Sequence, residues 1–318
     1  MFTLSQLRYA LAVEKHRHFG KAASACHVSQ PTLSQQLQKL EDEAAVVLFD
    51  RGKKPILPTS EGRNFLEQAR IVLREYDKLV QISKKSQDGT VSGEFRLAII
   101  PTVSSYLLPV FLQAFAKGFP QVGLIIEEMK TETILHELNN DRLDGAILAT
   151  PIDGTDFKTH PLYYEPFFAY FSTDHRLLAQ SQVMRTQLDL SEMWLLQDGH
   201  CFKDQVLNFC AVPGRQETAL GNVRFQSGSL DTLRRLVMNN PGYTLLPALM
   251  ALSLRKDEQA AHLRPFKSPV PTREISLIYR RDHWKLAIIR AIENTIASTL
   301  PPSIHQRPQK NFQVLGVS

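Results

Sequence analysis

An amphipathic pattern runs through His27-Val28-Ser29-Gln30-Pro31-Thr32-Leu33-Ser34-Gln35-Gln36-Leu37-Gln38-Lys39-Leu40-Glu41 and indicates how the first sixty residues fold. Leucines at 33, 37 and 40 recur at helical spacing, which predicts a helix over 30–41. Ser29 suits the N-cap, and Pro31 falls in the first turn, where a missing N–H costs little. The other face carries side chains that can bond base edges and phosphates: Gln30, Thr32, Ser34, Gln35 and Gln38.

The residues around this helix predict the rest of a DNA-binding unit. Apolar spacing favours one helix over 4–15, and an alanine-rich stretch favours a second, short helix over 19–26. After the third helix comes Arg51-Gly52-Lys53-Lys54-Pro55, a basic turn suited to contact with the phosphate backbone. Together these predict a winged helix-turn-helix with 30–41 as its recognition helix. The competing interpretation is an ordinary solvated helix face.

A long helix is expected next, from a cap at Thr59 or Ser60 to about Ser86. Apolar residues recur along it at alternating steps of four and three, over two heptads: Phe65, Ala69, Val72, Tyr76 and Leu79. Two heptads are short for a coiled coil, so the stripe either pairs with a second copy or packs on its own chain. A polar, glycine-punctuated stretch over 83–93 then predicts a hinge.

Alternating strands and helices after the hinge predict an α/β regulatory domain. The expected elements of its first half are strand 95–100, helix 106–115, strand 122–128, helix 132–138 and strand 145–149. Those of its second half are strands 168–171 and 194–196, helix 230–238, a return strand 275–279 and a closing helix 284–298. Ligands of such sheets bind at the carboxyl ends of the strands, where Thr102 and Thr131 fall.

Two of the three cysteines bracket the polar segment Asp198-Gly199-His200-Cys201-Phe202-Lys203-Asp204 … Cys210. His200 and Lys203 provide the surroundings of a reactive thiol at Cys201. A helix over 202–210 would hold the two Cα atoms roughly 13 Å apart, whereas a disulfide needs about 4.4–6.8 Å. Bridging the pair would therefore unwind the segment. The alternative is two unrelated cysteines, and Cys26 reads as a small core residue.

Composition limits the class of protein. The 318 residues are 43% hydrophobic and 22% charged, as in a globular protein of two or three domains. No apolar run approaches the roughly 20 residues of a membrane span, and no secretion signal is evident. We therefore expect a cytoplasmic protein with no membrane partner. The net charge of +5 permits a polyanionic partner.

The N-terminal motifs resemble those of LysR-type transcriptional regulators. The resemblance rests on Phe19-x-x-Ala22-Ala23, Val28-Ser29-Gln30-Pro31-Thr32-Leu33-Ser34, Leu40-Glu41, Leu48-Phe49-Asp50-Arg51 and Leu57-x-Thr59-x-x-Gly62. The segment around Cys201 and Cys210 is similar to that of the hydrogen-peroxide sensors within the family, and the likeness extends to about residue 295. It implies an α+β multidomain fold: a winged helix-turn-helix over 1–59, a linker or dimerisation helix and hinge over 60–91, and a two-lobed regulatory domain over 92–300. That domain would resemble periplasmic binding proteins, with lobe one at 92–166 and 272–300 and lobe two at 167–271.

The resemblance also implies roles for individual residues. Cys201 would be the thiol that attacks peroxide and Cys210 its resolving partner, in a pocket lined by Thr102, Thr131, His200, Asp204 and Arg273. Double-stranded DNA would contact Ser29, Gln30, Pro31, Thr32, Ser34, Gln35, Arg51 and Lys53. Ser104-Ser105 departs from a Gly-Pro pair in the family pattern, beside Thr102.

The expected partners follow from the same resemblance: DNA, hydrogen peroxide, a homodimer assembling to a homotetramer, a thiol reductant such as a glutaredoxin or thioredoxin, and RNA polymerase. We expect no cofactor, no metal and no enzymatic activity. Two other functions fit the sequence less well: a LysR-type regulator of a small organic effector in the inter-lobe cleft, and a thiol peroxidase. The tail over 301–318, rich in proline and without periodicity, is expected to be disordered.

Overall fold

The computed structural model describes residues 1–52, 54–84, 90–152, 157–196, 205–206, 209, 229–281, 283 and 285–316, without the side chains of 74, 78 and 81–84. Two compact units are present, Met1–Thr90 and Val91–Ser318.

The first unit has the predicted winged helix-turn-helix. Helices α1 (Leu4–His16), α2 (Phe19–Ala25) and α3 (Gln30–Ala44) precede a small antiparallel hairpin of β1 (Phe49–Asp50) and β2 (Leu57–Pro58), and α4 (Ser60–Lys84) follows. The three helices meet in a common apolar core through residues that include Leu7, Ala23 and Leu37, all 3% exposed or less. The hairpin thus forms the wing beside the recognition helix.

The start of α4 explains two residues of the family motif. Thr59 Oγ1 accepts a hydrogen bond from Gly62 N at 2.8 Å and donates one to Val47 O at 2.6 Å, so Thr59 caps the helix and joins it to the wing. A Cβ at Gly62 would lie 2.2 Å from the backbone oxygen of Leu48. Only glycine therefore allows α4 to pass this close to the wing.

The apolar stripe of α4 is divided between two environments. Ala69 is buried in the core of its own unit, and Phe65 is half-buried with its ring 5.9 Å from that of Phe2. Val72, Tyr76 and Leu79 are exposed, Leu79 by 66%. Of the two alternatives for the stripe, packing on its own chain is therefore correct for the first part of the helix, which packs on α1, so the five residues do not form one interface between chains. The second part remains a candidate interface.

The second unit begins with the expected alternation: β3 (Gly93–Ile99), α5 (Pro101–Gly118), β4 (Val122–Glu128), α6 (Thr131–Asn139), β5 (Gly145–Thr150) and β6 (Phe157–Phe171). Three short 3-10 helices follow at Arg176–Ala179, Arg185–Gln187 and Leu190–Glu192. The chain continues through α7 (Leu230–Asn239), β7 (Tyr243–Pro247), α8 (Ala248–Ser253), α9 (Lys256–His262), β8 (Leu263–Pro265), β9 (Val270–Arg280), α10 (Leu286–Thr299) and β10 (Phe312–Val314).

Two long antiparallel strands, β6 and β9, connect the two halves of this unit. The strand order is β4-β3-β5-β9-β6-β7, with β10 paired to β9 and β8 paired to β6. β3 is parallel to β4 and β5, whereas β9 is antiparallel to β5 and β6. One apolar core surrounds β3, β5 and α10, and a second surrounds the end of β6, β7 and α7.

Two strand predictions in this unit need correction. β6 begins at Phe157, well before the predicted 168, although Pro161 and Pro166 argue against a strand. Residues 194–196 do not form a strand: Trp194 N donates to Tyr243 O at 2.8 Å, but only Met193 forms an isolated bridge. A short buried apolar run has no periodicity that distinguishes a strand from a packed loop.

The predicted disorder of the tail is wrong for 301–316. β10 pairs in parallel with the start of β9, Phe312 opposite Val270 and Val314 opposite Thr272. Ile304 and Leu315 are each 5% exposed. The tail is ordered because β5 pairs only with Glu274–Ile278 of β9, which leaves the earlier edge of that strand for β10 to cover.

Among the helices that the structure describes, none has the combination of length and apolar character that crossing a membrane requires.

Candidate functional site

The exposed face of α3 carries the residues predicted to bind DNA. Ser29 Oγ accepts from Thr32 N at 3.2 Å and lies 2.7 Å from Thr32 Oγ1, so the predicted cap forms. Leu33, Leu37 and Leu40 are fully buried, which orients the opposite face outward. On that face Ser34 is half-buried, and the other predicted contacts are exposed: Ser29, Gln30, Pro31, Thr32 and Gln35. This gives a rigid helix that presents donors and acceptors at its N-terminal end.

Arg51 has partners within its own unit. Its Nη2 lies 2.6 Å from Glu41 Oε2, and its guanidinium carbon lies 5.6 Å from the centre of the Phe19 ring. Glu41 Oε1 also accepts from Leu48 N at 2.7 Å, and the Glu41 side chain is only 7% exposed. Arg51 therefore joins α2, α3 and the wing, a role that the prediction of a phosphate contact did not include. Lys53, the other predicted phosphate contact, lies outside the described residues.

A second cluster lies where the parallel strands of the regulatory unit end. Ile99 of β3 and Glu128 of β4 are paired, and Met129 N donates to Ile99 O at 3.2 Å. Helices α5 and α6 follow these strands, so their N-terminal turns begin beside each other at one sheet edge. Thr102 and Thr131 occupy those turns. Helix N-termini favour anions and ligand atoms that carry negative charge. Thr131 is the first residue of α6, whereas the N-cap position belongs to Lys130.

Arg273 reaches this edge from β9. We call β6 and β9, which connect the two halves of the unit, the crossover strands. Its Nη1 donates to Thr102 Oγ1 at 3.3 Å and its Nη2 to the backbone oxygen of Thr102 at 3.0 Å. Arg273 is 1% exposed and Thr102 3%. The structure therefore brings together two of the predicted pocket residues, Thr102 and Arg273, although Arg273 lies within its strand rather than before it.

Glu165 is the residue that sequence reasoning missed. Its carboxylate, fully buried on β6, accepts from Arg273 Nε and Nη2, each at 2.8 Å, and from Leu249 N at 2.7 Å. The pair fixes the guanidinium that contacts Thr102. One signal was available: Glu165 stands alone in the aromatic run 163–168, and a glutamate is almost never fully buried unless it is paired.

A buried tyrosine lies on the same face of β6 as Glu165. Burial, followed by the negative charge of Glu165, raises the pKa of Tyr163 well above its ordinary value, against the opposing effect of Arg273. Tyr163 therefore keeps its hydroxyl proton. Its Oη has no hydrogen-bond partner among the described residues. The cluster thus includes a neutral donor that is not occupied by another described side chain.

The serine pair that departs from the family pattern is also accounted for. α5 continues through Ser104 and Ser105 without a break. Ser104 Oγ donates to Glu128 Oε1 at 2.6 Å, so it links the first turn of α5 to the end of β4. Ser105 is exposed. The serine pair therefore adds a hydrogen bond between α5 and β4 at the sheet edge, and the Thr102 contacts with Arg273 are present beside it.

The remaining predicted pocket residues, His200, Cys201, Asp204 and Cys210, lie outside the described residues. Cys26 is described as half-buried in the DNA-binding unit, where burial raises the pKa of its thiol. A raised pKa lowers the thiolate fraction, so Cys26 is poorly suited to react with peroxide.

Two surface depressions lie away from Thr102 and Arg273. One of about 700 Å³ is lined by residues of the regulatory unit that include His175, Glu192 and Asn240. The other, of about 930 Å³, lies between α3 and the wing and includes Gln38, Arg51 and Arg63. The first is not at the sheet edge where a ligand was expected, and the second belongs to the DNA-binding unit.

Comparison with known proteins gives two family matches. Residues 4–63 match the family described as bacterial regulatory helix-turn-helix protein, lysR family, and residues 88–300 match the LysR substrate binding domain. The chain is 39% identical over 277 residues to the hydrogen peroxide-inducible genes activator of Pectobacterium carotovorum subsp. carotovorum, covering 87% of this chain and 90% of that protein.

Two solved structures extend the comparison. A full-length OxyR variant of Pseudomonas aeruginosa aligns with a TM-score of 0.78 at 31% identity, over 94% of this chain and 99% of that one. An OxyR cysteine-to-serine variant of Corynebacterium glutamicum, described as H2O2-bound, aligns with a TM-score of 0.60 at 26% identity, over 94% and 92%.

Replacing Glu165 with glutamine should destabilise the regulatory unit, because Arg273 would remain buried without its counter-charge. We expect a loss of about 3 kcal/mol in the free energy of unfolding, measured by guanidinium denaturation followed by circular dichroism. Glu94→Gln, an exposed position on β3, is the matched control and should change stability by less than about 0.5 kcal/mol. Glu165→Leu combined with Arg273→Met should recover much of the loss. An unchanged unfolding midpoint in Glu165→Gln would contradict the central role of the pair.

Proposed function

The chain belongs to the LysR family of bacterial regulators, and we propose that it is a sequence-specific DNA-binding transcription factor that senses hydrogen peroxide through Cys201 and Cys210. The relative is named a hydrogen peroxide-inducible genes activator, and one of the two solved OxyR structures is described as H2O2-bound, which supports this choice within the family. The observation that carries the proposal is the buried contact between Arg273 and Thr102. It holds a buried guanidinium against the Thr102 hydroxyl at one sheet edge, which supports a small polar ligand at that edge.

The DNA-binding role rests on the helix-turn-helix. Gln30, Thr32 and Gln35 are exposed at the N-terminal end of α3, where a recognition helix enters the major groove. Ser29, Pro31 and Ser34 would lie along the same contact, and Lys53 would bind the phosphate backbone. Because Arg51 is held by Glu41, we assign it first to the positioning of the wing, and only its exposed edge to phosphate.

The peroxide reaction would proceed in two balanced steps. The Cys201 thiolate attacks one peroxide oxygen, the O–O bond breaks, and the departing hydroxide takes a proton to form water, leaving a sulfenic acid. The Cys210 thiol then attacks that sulfur, and a second water leaves as the disulfide forms. A dithiol protein such as a thioredoxin or glutaredoxin would return the pair to thiols.

Arg273, Thr102 and Thr131 would align the peroxide by hydrogen bonding, together with His200 and Asp204. An aligned peroxide with a proton donor nearby loses hydroxide more readily. Formation of the disulfide would rearrange the cysteine segment and re-space the two DNA-binding units of a dimer. RNA polymerase would sense that change at the promoter.

The two competing functions have less support. A regulator of an organic acid would need accessible polar groups at the sheet edge, yet Thr102 and Arg273 are 3% and 1% exposed. A thiol peroxidase would have no use for the helix-turn-helix.

Dimerisation is proposed through the second part of α4, and assembly to a tetramer through further contacts. Val72, Tyr76 and Leu79 form an exposed apolar stripe on one helix, and such stripes commonly mark interfaces. A paired α4 would place two α3 helices on successive major grooves about 34–36 Å apart.

For DNA recognition, Gln35→Ala should relax sequence preference, because the side chain is exposed on the recognition helix. Lys53→Ala should weaken binding equally to selected and random duplexes, and lower the salt slope by about one ion. Fluorescence anisotropy with a duplex selected from a random pool measures both, and Lys117→Ala, exposed on α5, is the charge control. If Gln35→Ala weakened binding to both duplexes alike, α3 would not be the helix that reads sequence.

For assembly, Val72→Asp should yield monomers in sedimentation velocity, because a carboxylate would be buried in the paired stripe. Glu67→Lys, exposed on another face of α4, should remain oligomeric. A Val72→Asp protein that stayed dimeric would place the interface elsewhere.

For peroxide sensing, Cys201→Ser should fold and bind DNA but show no change of operator footprint on addition of peroxide. Cys210→Ser should stop at a sulfenic acid that dimedone traps, because the resolving thiol is absent. Cys26→Ser should respond like the wild type. The same footprint shift in wild type and Cys201→Ser would exclude the cysteine mechanism and favour an effector regulator.

A further inference from the structure

The C-terminal tail connects the two apolar cores of the regulatory unit. Ile304 is buried in the core of β3, β5 and α10, and Leu315 in the core of the end of β6, β7 and α7. Between them, His305 O accepts from Tyr164 N at 2.7 Å and Asn311 O accepts from Val270 N at 2.8 Å. The tail is therefore hydrogen-bonded to both β6 and β9.

Leu315 connects the tail, by hydrogen bonds, both to β9 and to the segment between the two cysteines. Its N–H donates to Thr272 O at 2.9 Å, one residue before Arg273. Its carbonyl oxygen accepts from Gln205 Nε2 at 3.0 Å. Gln205 is fully buried, and the Gln205 amide oxygen has no hydrogen-bond partner among the described residues. Leu315 is thus the one described partner of a buried polar side chain that lies between Cys201 and Cys210 in the sequence.

Apolar packing accompanies this hydrogen bond. Val206 and Phe209 are 0% and 2% exposed and belong to the same core as Leu315. The Phe209 ring centre lies 5.4 Å from that of Phe266, and the guanidinium carbon of Arg185 lies over the Phe209 ring at 5.8 Å. Gln205, Val206 and Phe209 all have helical conformation. A disulfide between Cys201 and Cys210 cannot span a continuous helix, since nine helical steps hold the Cα atoms roughly 13 Å apart.

We propose that the C-terminal tail is a positioning element for the cysteine pair: through Leu315 it holds Gln205, and so stabilises the dithiol form against the disulfide. The proposal rests on the function proposed above. Disulfide formation removes one electron from each sulfur, and the two electrons reduce peroxide to two waters. In this proposal the rearrangement of the cysteine segment separates Gln205 from Leu315, and a buried amide and carbonyl that are separated each lose a partner. The tail therefore sets how readily the pair oxidises and how readily a reductant resets it.

The test replaces Leu315 with aspartate in the full chain, because a carboxylate in the apolar core should undock the tail. The dithiol–disulfide equilibrium is measured in dithiothreitol buffers of varied ratio, with the cysteines alkylated and the pair quantified by mass spectrometry. We expect at least a tenfold shift toward the disulfide, which is a midpoint about 30 mV more negative. Leu315→Ala, a milder change that retains the fold, should shift the equilibrium several-fold in the same direction.

Val314→Asp is the matched control, because Val314 directly precedes Leu315 at the end of β10 and is 38% exposed. It should stay within twofold of the wild type. If peroxide gives a 201–210 disulfide in wild type but both Leu315 variants keep the wild-type midpoint, or move toward the dithiol, the tail has no positioning role and the sensing function stands. If wild type forms no such disulfide, the sensing function fails and the tail proposal fails with it.

Discussion

One buried ion pair, between Arg273 and Glu165, holds the regulatory unit together at its centre. The two residues are paired in register on the crossover strands β9 and β6, the only described strands that extend through both halves of the unit. Glu165 also accepts from the first turn of α8, and Arg273 donates to the first turn of α5. Four elements therefore meet at one pair of charges. A buried pair of this kind adds little net stability compared with apolar residues, but removal of one partner is costly.

The same ion pair also fixes the positions of the hydrogen-bond donors at the sheet edge. Arg273 cannot change its position without disturbing Glu165, Leu249 and Thr102 together, so the donors at the sheet edge are held in a fixed geometry. A fixed set of donors loses little energy to reorganisation when a ligand arrives. In the DNA-binding unit, the contacts of Glu41 with Leu48 and Arg51 play a comparable part, because they fix the wing relative to α3.

Much of this fold could be predicted from the sequence, because its signals are local. The cap at Ser29, the leucine periodicity of α3 and the strand over 122–128 depend on neighbours within a few residues. The failures concern contacts between distant residues. Glu165 and Arg273 are 108 residues apart, so their pairing could not be inferred from the residues around either one, although the aromatic run at Glu165 suggests burial.

The predictions of a disordered tail and of a later start for β6 were wrong for the same reason: both features depend on pairing with distant residues. β10 forms because β5 leaves an edge of β9 uncovered, and β6 accommodates Pro161 at an irregularity in its pairing with β9. On α4 the apolar spacing was correct, but it could not tell whether a given residue faces its own core or another chain. The role proposed for the cysteine segment rests on family resemblance, because two cysteines among polar residues are weak evidence alone.

The position of β9 in the chain has a consequence for biosynthesis. β5 finds its antiparallel partner only in Glu274–Ile278, more than a hundred residues after it has left the ribosome. At roughly 5–20 residues per second, that edge of the nascent sheet stays uncovered for on the order of ten seconds. An uncovered apolar strand edge is a template for association with other chains. The first unit has by then been fully synthesised, so the nascent protein passes through a stage in which its DNA-binding unit can fold while its regulatory unit still needs protection.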